Sequence, residues 1–179
     1  IGAGDLILAD KFVHACALDG ARLSGASFMR FAHNNIEHLR LLLSAHRADH
    51  PHCLILTETV FSMDGDRAPL AEIAALAQEF DAWLMVDDAH GFCFAADDEK
   101  TLRSSSVIRH PSSVIHMGTL SKAAGSYGGY VCGSKTLADY LKTSARSLVY
   151  STALPPASVA ASIAALSIMK KDPKRCEEP

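Results

Sequence analysis

Four groups of side chains in this sequence could do chemistry. Lys122 stands in the run Gly118-Thr119-Leu120-Ser121-Lys122-Ala123-Ala124-Gly125-Ser126-Tyr127-Gly128-Gly129-Tyr130. It follows an apolar run, and its small neighbours let another group approach closely. Burial would lower its pKa and free the amine to attack a carbonyl. A surface lysine in a glycine-rich loop accounts for this segment equally well when it is taken alone. Asp87-Asp88-Ala89-His90-Gly91 closes a wholly apolar run. A buried acid there is costly unless it meets a cation, and the protonated nitrogen of a heterocycle would serve. His90, three residues on, could then donate to an oxygen on the same ring. The plainer reading makes Asp87 a turn cap and His90 a loop histidine. Adjacent acids also suggest a metal, but no third ligand stands at a convincing spacing, so none is assigned.

The third group is Glu58-Thr59-Val60-Phe61-Ser62-Met63-Asp64-Gly65-Asp66. Its Asp-Gly-Asp resembles part of a calcium loop but lacks the regular ligand spacing and the closing Glu. It reads as a turn with Gly65 at positive φ, or as a pocket wall offering Glu58 and Ser62 as hydrogen-bonding groups. The fourth is His14, one of nine histidines. Its place after the first apolar run, beside Ala15 and Cys16, would let its ring lie flat on a planar ligand.

The elements that must position these groups alternate. Short apolar runs at Leu6–Ala9, Ser27–Phe31, Cys53–Thr57, Trp83–Val86, Val114–Met117 and Tyr130–Gly133 predict strands. Helical periods fall at about 14–23, after Asn34 or Asn35 as N-cap, from Pro69 as a first helical residue, at about 135–147 and at 156–170. The second helix carries Ile36, Leu39, Leu42 and Leu43 on one face; the third carries Leu70, Ile73, Ala74, Leu76 and Ala77. Strand and helix alternating at this spacing predict a three-layer α/β/α fold with a mostly parallel sheet. Ligands in such sheets sit beyond the carboxyl ends of the strands. Asp10, Glu58, Asp87 to His90 and Thr119 to Lys122 fall at those ends. The stretch from 91 to 111 reads as a long polar excursion with a short helical turn.

Composition narrows the field. The chain has 179 residues, 49% of them apolar and 21% charged, and a net charge of −3. That is a globular composition, with no basic stripe for nucleic acid and no apolar run long enough to span a membrane. Five scattered cysteines without a CxxC pair read as reduced thiols of an intracellular protein. Neither GxGxxG nor a Walker A motif is present, which argues against a nucleotide-binding α/β protein. The chain begins without Met and ends just after a helical pattern, so residues 1–179 are expected to be part of a longer protein.

Five stretches, in this order, resemble the large domain of the α-oxoamine synthases, fold-type I enzymes that use pyridoxal phosphate (PLP). They are Asp19 to Ser24, Phe61 to Asp66, Val86 to Gly91, Gly118 to Ala123 and Tyr150 to Pro155. The resemblance covers about 5–170. It implies a PLP-binding large domain, with the small C-terminal domain and an upstream phosphate-gripping loop absent from this chain. By position it implies that Lys122 carries the cofactor as a Schiff base and that Asp87 pairs with the pyridinium nitrogen. His90 lies near the cofactor's phenolic oxygen, and His14 stacks on its ring. Ser62 and Thr119 contact the cofactor, Thr119 at the phosphate, while Glu58 is a pocket acid of unspecified role. Lys122, His14 and Asp87 are the implied catalytic residues.

The implied reaction joins an amino acid to an acyl-CoA with loss of carbon dioxide. The runs around Lys122 and Tyr150 favour the branch that uses L-alanine and pimeloyl-CoA in biotin biosynthesis. Sibling α-oxoamine synthases are the near alternative, and a non-catalytic scaffold that kept the fold is the distant one. The resemblance further implies a cytoplasmic homodimer in which Ser151 and Thr152 reach the partner's site. One departure stands out. Where the family carries glycines after His-Gly, this chain reads Phe92-Cys93-Phe94-Ala95-Ala96-Asp97-Asp98-Glu99-Lys100, losing conformations open only to glycine.

Overall fold

A computed structural model describes residues 1–93 and 113–177. From residue 94 on, the polar excursion read at 91–111 and the altered run after His90 lie outside the described residues. Six strands form one sheet: β1 (Leu6–Asp10), β2 (Ser27–Phe31), β3 (Cys53–Glu58), β4 (Trp83–Asp87), β5 (Val114–Thr119) and β6 (Gly129–Cys132). Their order is β2-β1-β3-β4-β5-β6. The first five run parallel, and β6 returns antiparallel to β5. Helices α1 (Ala15–Leu23), α2 (Ile36–His46), α3 (Leu70–Glu79), α4 (Lys135–Ser144), α5 (Arg146–Val149) and α6 (Pro156–Lys171) flank it. This is the mostly parallel α/β/α architecture expected.

The central strands are buried along their whole length, as sheets covered on both faces require. Every residue of β1 and β3 is buried, including the acids Asp10 and Glu58 that end them. Each strand of the parallel core therefore runs past its apolar residues to the polar one that follows. Leu39 and Leu43 of α2, and Leu70, Ile73, Ala74, Leu76 and Ala77 of α3, complete the core. Asn35, not Asn34, caps α2, its side chain accepting from the His38 amide at 2.8 Å. Asn34 instead adopts positive φ, 52°.

Pairing carries β1, β3, β4 and β5 past their expected ends to Asp10, Glu58, Asp87 and Thr119, and other boundaries shift too. Pro69 caps α3 with non-helical ψ, 67°, so the helix starts at Leu70. The helix expected over 135–147 stops at Ser144, because Ala145 turns extended (ψ 101°) before the short α5. The last strand lies one residue earlier than read, at Gly129–Cys132, where Gly129 pairs with Thr119. Helix α6 shows little amphipathic segregation: Val159, Ile163, Leu166 and Ile168 are all substantially exposed. Among the described residues no helix is long and apolar enough to cross a membrane.

Candidate active site

The parallel register lines up the carboxyl ends of the strands. Glu58 of β3 and Asp87 of β4 are Cα partners, so the two acids project from the same face of the sheet. Main-chain bonds carry the ladder past the strand ends: Thr59 N–H to the Asp87 carbonyl at 2.9 Å, and Asp88 N–H to the Met117 carbonyl at 2.7 Å. The turn after Asp87 is tight. The Ala89 amide donates to Asp87 Oδ1 at 2.9 Å. Gly91 sits where a Cβ would meet Thr59 Oγ1 at 2.1 Å and Asp88 Oδ1 at 2.4 Å. Only glycine lets the chain pass over the Thr59–Asp88 hydrogen bond of 2.6 Å.

That turn delivers His90 to Lys122. Lys122 Nζ lies 2.6 Å from His90 Nε2. Burial first, and then the Lys122 charge, hold His90 below the usual histidine range, while Asp87 pulls the other way. The shift favours the neutral imidazole, whose Nε2 can accept from the Lys122 amine. The loop bearing Lys122 closes on itself. Thr119 Oγ1 donates to the Gly128 carbonyl at 3.0 Å and accepts from the Ser121 amide at 3.2 Å. The Leu120 amide also reaches the Gly128 carbonyl, at 2.8 Å. Gly125 and Gly128 take positive φ, 60° and 118°, which makes that closure inexpensive. Ser126 then fastens the loop to α6. Its Oγ donates to the Ser158 carbonyl at 2.8 Å and accepts from the buried Ser162 hydroxyl at 2.9 Å.

His14 enters from the β1–α1 turn as the N-cap of α1, Nδ1 accepting from the Cys16 amide at 3.2 Å. That bond leaves Nε2 as the nitrogen available to a ligand. The His14 main-chain N–H donates to Glu58 Oε1 at 2.5 Å. Glu58 is 2% exposed. Burial above all, with the charges of Asp87 and Asp10 adding to it, pushes its carboxyl up to about 7 against the pull of the His14 N–H and Lys122.

The structure thus brings Lys122, His90, Asp87, His14 and Glu58 into one electrostatic neighbourhood. It places Thr119 at its edge with the hydroxyl engaged in loop closure. Ser62 is exposed in the turn after β3 and makes no hydrogen bond among the described residues. Gly65 in that turn has the expected positive φ, 70°. Ser151 and Thr152 are exposed, and Ser151 Oγ donates to the Ser147 carbonyl.

Sequence reasoning missed a second cluster beside the first. His33, at the end of β2, bridges Asp10 Oδ1 through Nδ1 and Asp66 Oδ2 through Nε2, each at 2.8 Å. The Phe12 and Asn34 amides also donate to Asp10, at 2.8 Å each. Phe12 stacks on the imidazole and Phe61 meets its face edge-on, both at 4.4 Å. Burial opposes the charge on His33 and is the largest single influence. The hydrogen bonds and charges of Asp10 and Asp66 outweigh it and raise the pKa. Asp64 lies close by, but both imidazole nitrogens already face carboxylates. The sequence signal was slight: Asp10 closes β1, but His33 stands two residues past the end of β2 and Asp66 eight residues past the end of β3.

The free groups suit PLP. Asp87 is buried, and its Oδ2 makes no hydrogen bond among the described residues, leaving an acceptor for a cationic ring nitrogen. Lys122 is exposed, so its amine can reach an aldehyde.

Residues 1–178 match the family model described as aminotransferase class I and II. A curated relative from Methylobacterium nodulans, 8-amino-7-oxononanoate synthase, is 51% identical over 99% of this chain and 44% of its own length. Among solved structures, the Sphingomonas wittichii serine palmitoyltransferase superposes with a TM-score of 0.81 at 34% identity. It covers 94% of this chain and 41% of that one. An SPT solved with PLP gives a TM-score of 0.84 at 27% identity, over 99% of this chain and 45% of that one. The chain spans less than half the length of each.

Proposed function

The chain belongs to the aminotransferase class I and II family, and from that premise we propose that it is the PLP-binding part of an 8-amino-7-oxononanoate synthase. The proposed reaction joins L-alanine to pimeloyl-CoA and releases CoA and carbon dioxide, a step of biotin biosynthesis. The observation that carries the reading is the juxtaposition of Lys122, His90 and Asp87 beyond the ends of β4 and β5, in a chain half identical to synthases of that name. PLP supplies an electron sink that stabilises negative charge on the α-carbon of a bound amino acid.

The chain's own residues do the rest. Lys122 Nζ would hold the cofactor's aldehyde and, with that group released to the amino group of alanine, would serve as the base for the α-proton. Asp87 holds the proton on the pyridine nitrogen. His90 Nε2 would accept from Lys122 while the amine waits, and, with the ring proton moved onto Nε2, would donate to the phenolic oxygen. His14 lies on the ring, with Ser62 and Thr119 at its margin and at the phosphate. Amino acid and acyl-CoA as substrates, a homodimer and a cytoplasmic setting belong to the same proposal. The likeness to serine palmitoyltransferase favours one second reading: the same chemistry on a different amino acid and a longer acyl chain.

The test is spectroscopic. The protein incubated with PLP should gain a visible absorbance band that borohydride bleaches, leaving the cofactor covalently on Lys122 in a peptide map. Lys122→Ala should not. Absence of the band in folded wild-type protein, or its persistence in the variant, overturns the reading.

A further inference from the structure

Among the described residues, Glu58 is a buried ionisable group at the site to which neither the proposed reaction nor the ring contacts give work. Its carboxylate does not face solvent, and no cation sits against it in a salt bridge among the described residues. What it contacts is the main-chain amide of His14, at 2.5 Å, across a separation of 44 residues. That amide is one of the first free N–H groups at the start of α1, and a side-chain acceptor there fixes the entry of the helix. The His14 ring is fixed at the same time, because its Nδ1 accepts from the Cys16 amide one turn in. Glu58 therefore grips the backbone of the residue whose ring must lie against a planar ligand. It does so from β3, the strand between those bearing Asp10 and Asp87.

We propose that Glu58 is a positioning residue. It sets where His14 lies by accepting the His14 N–H, and it makes that hold sensitive to the proton on its own carboxyl. The inference deepens the PLP reading above and borrows its assignment of His14 to the ring face. As a carboxylate, Glu58 accepts a charge-assisted hydrogen bond, roughly twice as strong as the bond to a neutral acid. The groups that face it are Asp10 from β1, Asp87 from β4, Cys16 from the first turn of α1, and Lys122 from the β5–β6 loop. Two acids of like charge and burial favour the protonated form; Lys122 and the His14 N–H favour the ionised one. The balance falls close to neutral pH, so both forms are populated where the protein works.

The experiment begins without cofactor. In the PLP-free protein the His14 amide proton resonance is followed by NMR from pH 5 to 9, in wild type and in Glu58→Gln. That substitution keeps the size of the side chain and an acceptor oxygen but cannot titrate. The wild-type resonance should move downfield with a midpoint near 7, and Glu58→Gln should abolish that movement. PLP affinity, read by fluorescence quenching, should fall about tenfold in Glu58→Ala, the scale of one lost hydrogen bond to a charged group, and about threefold or less in Glu58→Gln at pH 6. A His14 amide that does not titrate, or that titrates identically in Glu58→Gln, overturns the proposal. If Glu58→Ala does not fold, the Glu58→Gln titration decides alone. Failure of the wild-type protein to bind PLP sinks the cofactor reading and leaves the His14–Glu58 coupling to be judged by the titration.

Discussion

Lys122 Nζ and His90 Nε2 stand 2.6 Å apart, joining the loop after β5 to the turn after β4. The lysine's charge is one of the causes that lower the histidine's pKa, after burial. Removing it should let His90 take up a proton more readily. In Lys122→Ala the His90 pKa, read by NMR, should rise from its depressed value. It should not reach that of a free histidine, because burial is the larger cause and remains. An unchanged His90 titration would show that the two groups do not couple in solution.

Gly91→Ala tests the close passage over Thr59. The added Cβ would lie 2.1 Å from Thr59 Oγ1, a contact that must be relieved by moving backbone or by breaking the Thr59–Asp88 bond. A loss of about 1–3 kcal/mol in unfolding free energy is expected, the usual range for overpacking. It is measurable as a lowered urea midpoint at unchanged m-value. The same shift would carry His90 away from Lys122, so the His90 titration should change alongside stability.

The two acids flanking His33 should not be equivalent. Asp10 is fully buried and accepts from two main-chain amides as well as from the imidazole. Asp10→Asn removes the buried carboxylate from His33 and from two amides, leaving only the partly exposed Asp66 to face the imidazole, and should cost about 3 kcal/mol. The Asp66 side chain is 42% exposed, and Asp66→Asn should cost about 1 kcal/mol or less, because solvent screens the pair. Equal costs in chemical denaturation would refute this ranking.

His33 also predicts a pH dependence. Its pKa is raised in the folded protein, so the native state holds the proton more tightly than the unfolded chain does. The resulting stability is complete below the unfolded histidine value of about 6.5 and is lost as pH rises through the higher folded value. Glu58 acts in the same direction at lower pH: its contribution is complete below 4.5 and is lost as pH rises to about 7. His33→Gln should flatten the decline above about pH 6.5, and Glu58→Gln the decline below about 7. Denaturation curves across this range in both variants separate the two.

Most strand positions were legible because each is an apolar run between polar punctuation, and α3 shows all five of its core residues at helical spacing. What the apolar pattern could not show is where a strand stops, because pairing carries Glu58 and Asp87 into the sheet after hydrophobicity has ended. The reach of the α4 helix was overread for a similar reason. Composition favours helix through Ser147, yet the backbone turns extended at Ala145. Lys122, His90 and Asp87 were found because each stands next to its strand in sequence. The Asp10–His33–Asp66 bridge was not, because its members meet only once β1 lies between β2 and β3. The grip of Glu58 on His14 was invisible for a different reason: it is made to a peptide group, which every residue has.

The pairing of Glu58 with Asp87 sets a parity condition. Side chains alternate faces along a strand, so sliding β4 by one residue against β3 would send Asp87 to the opposite side of the sheet from Glu58. No hydrophobic alternation guards against that slip, because β3 is buried on both faces and its apolar residues would be nearly as well covered in either register. The polar ends have to supply the discrimination: a displaced Asp87 would lose the Thr59 N–H bond to its carbonyl and put an acid into an apolar layer. The residues that serve chemistry would on this account also be the ones that tell the folding chain when its strands are aligned.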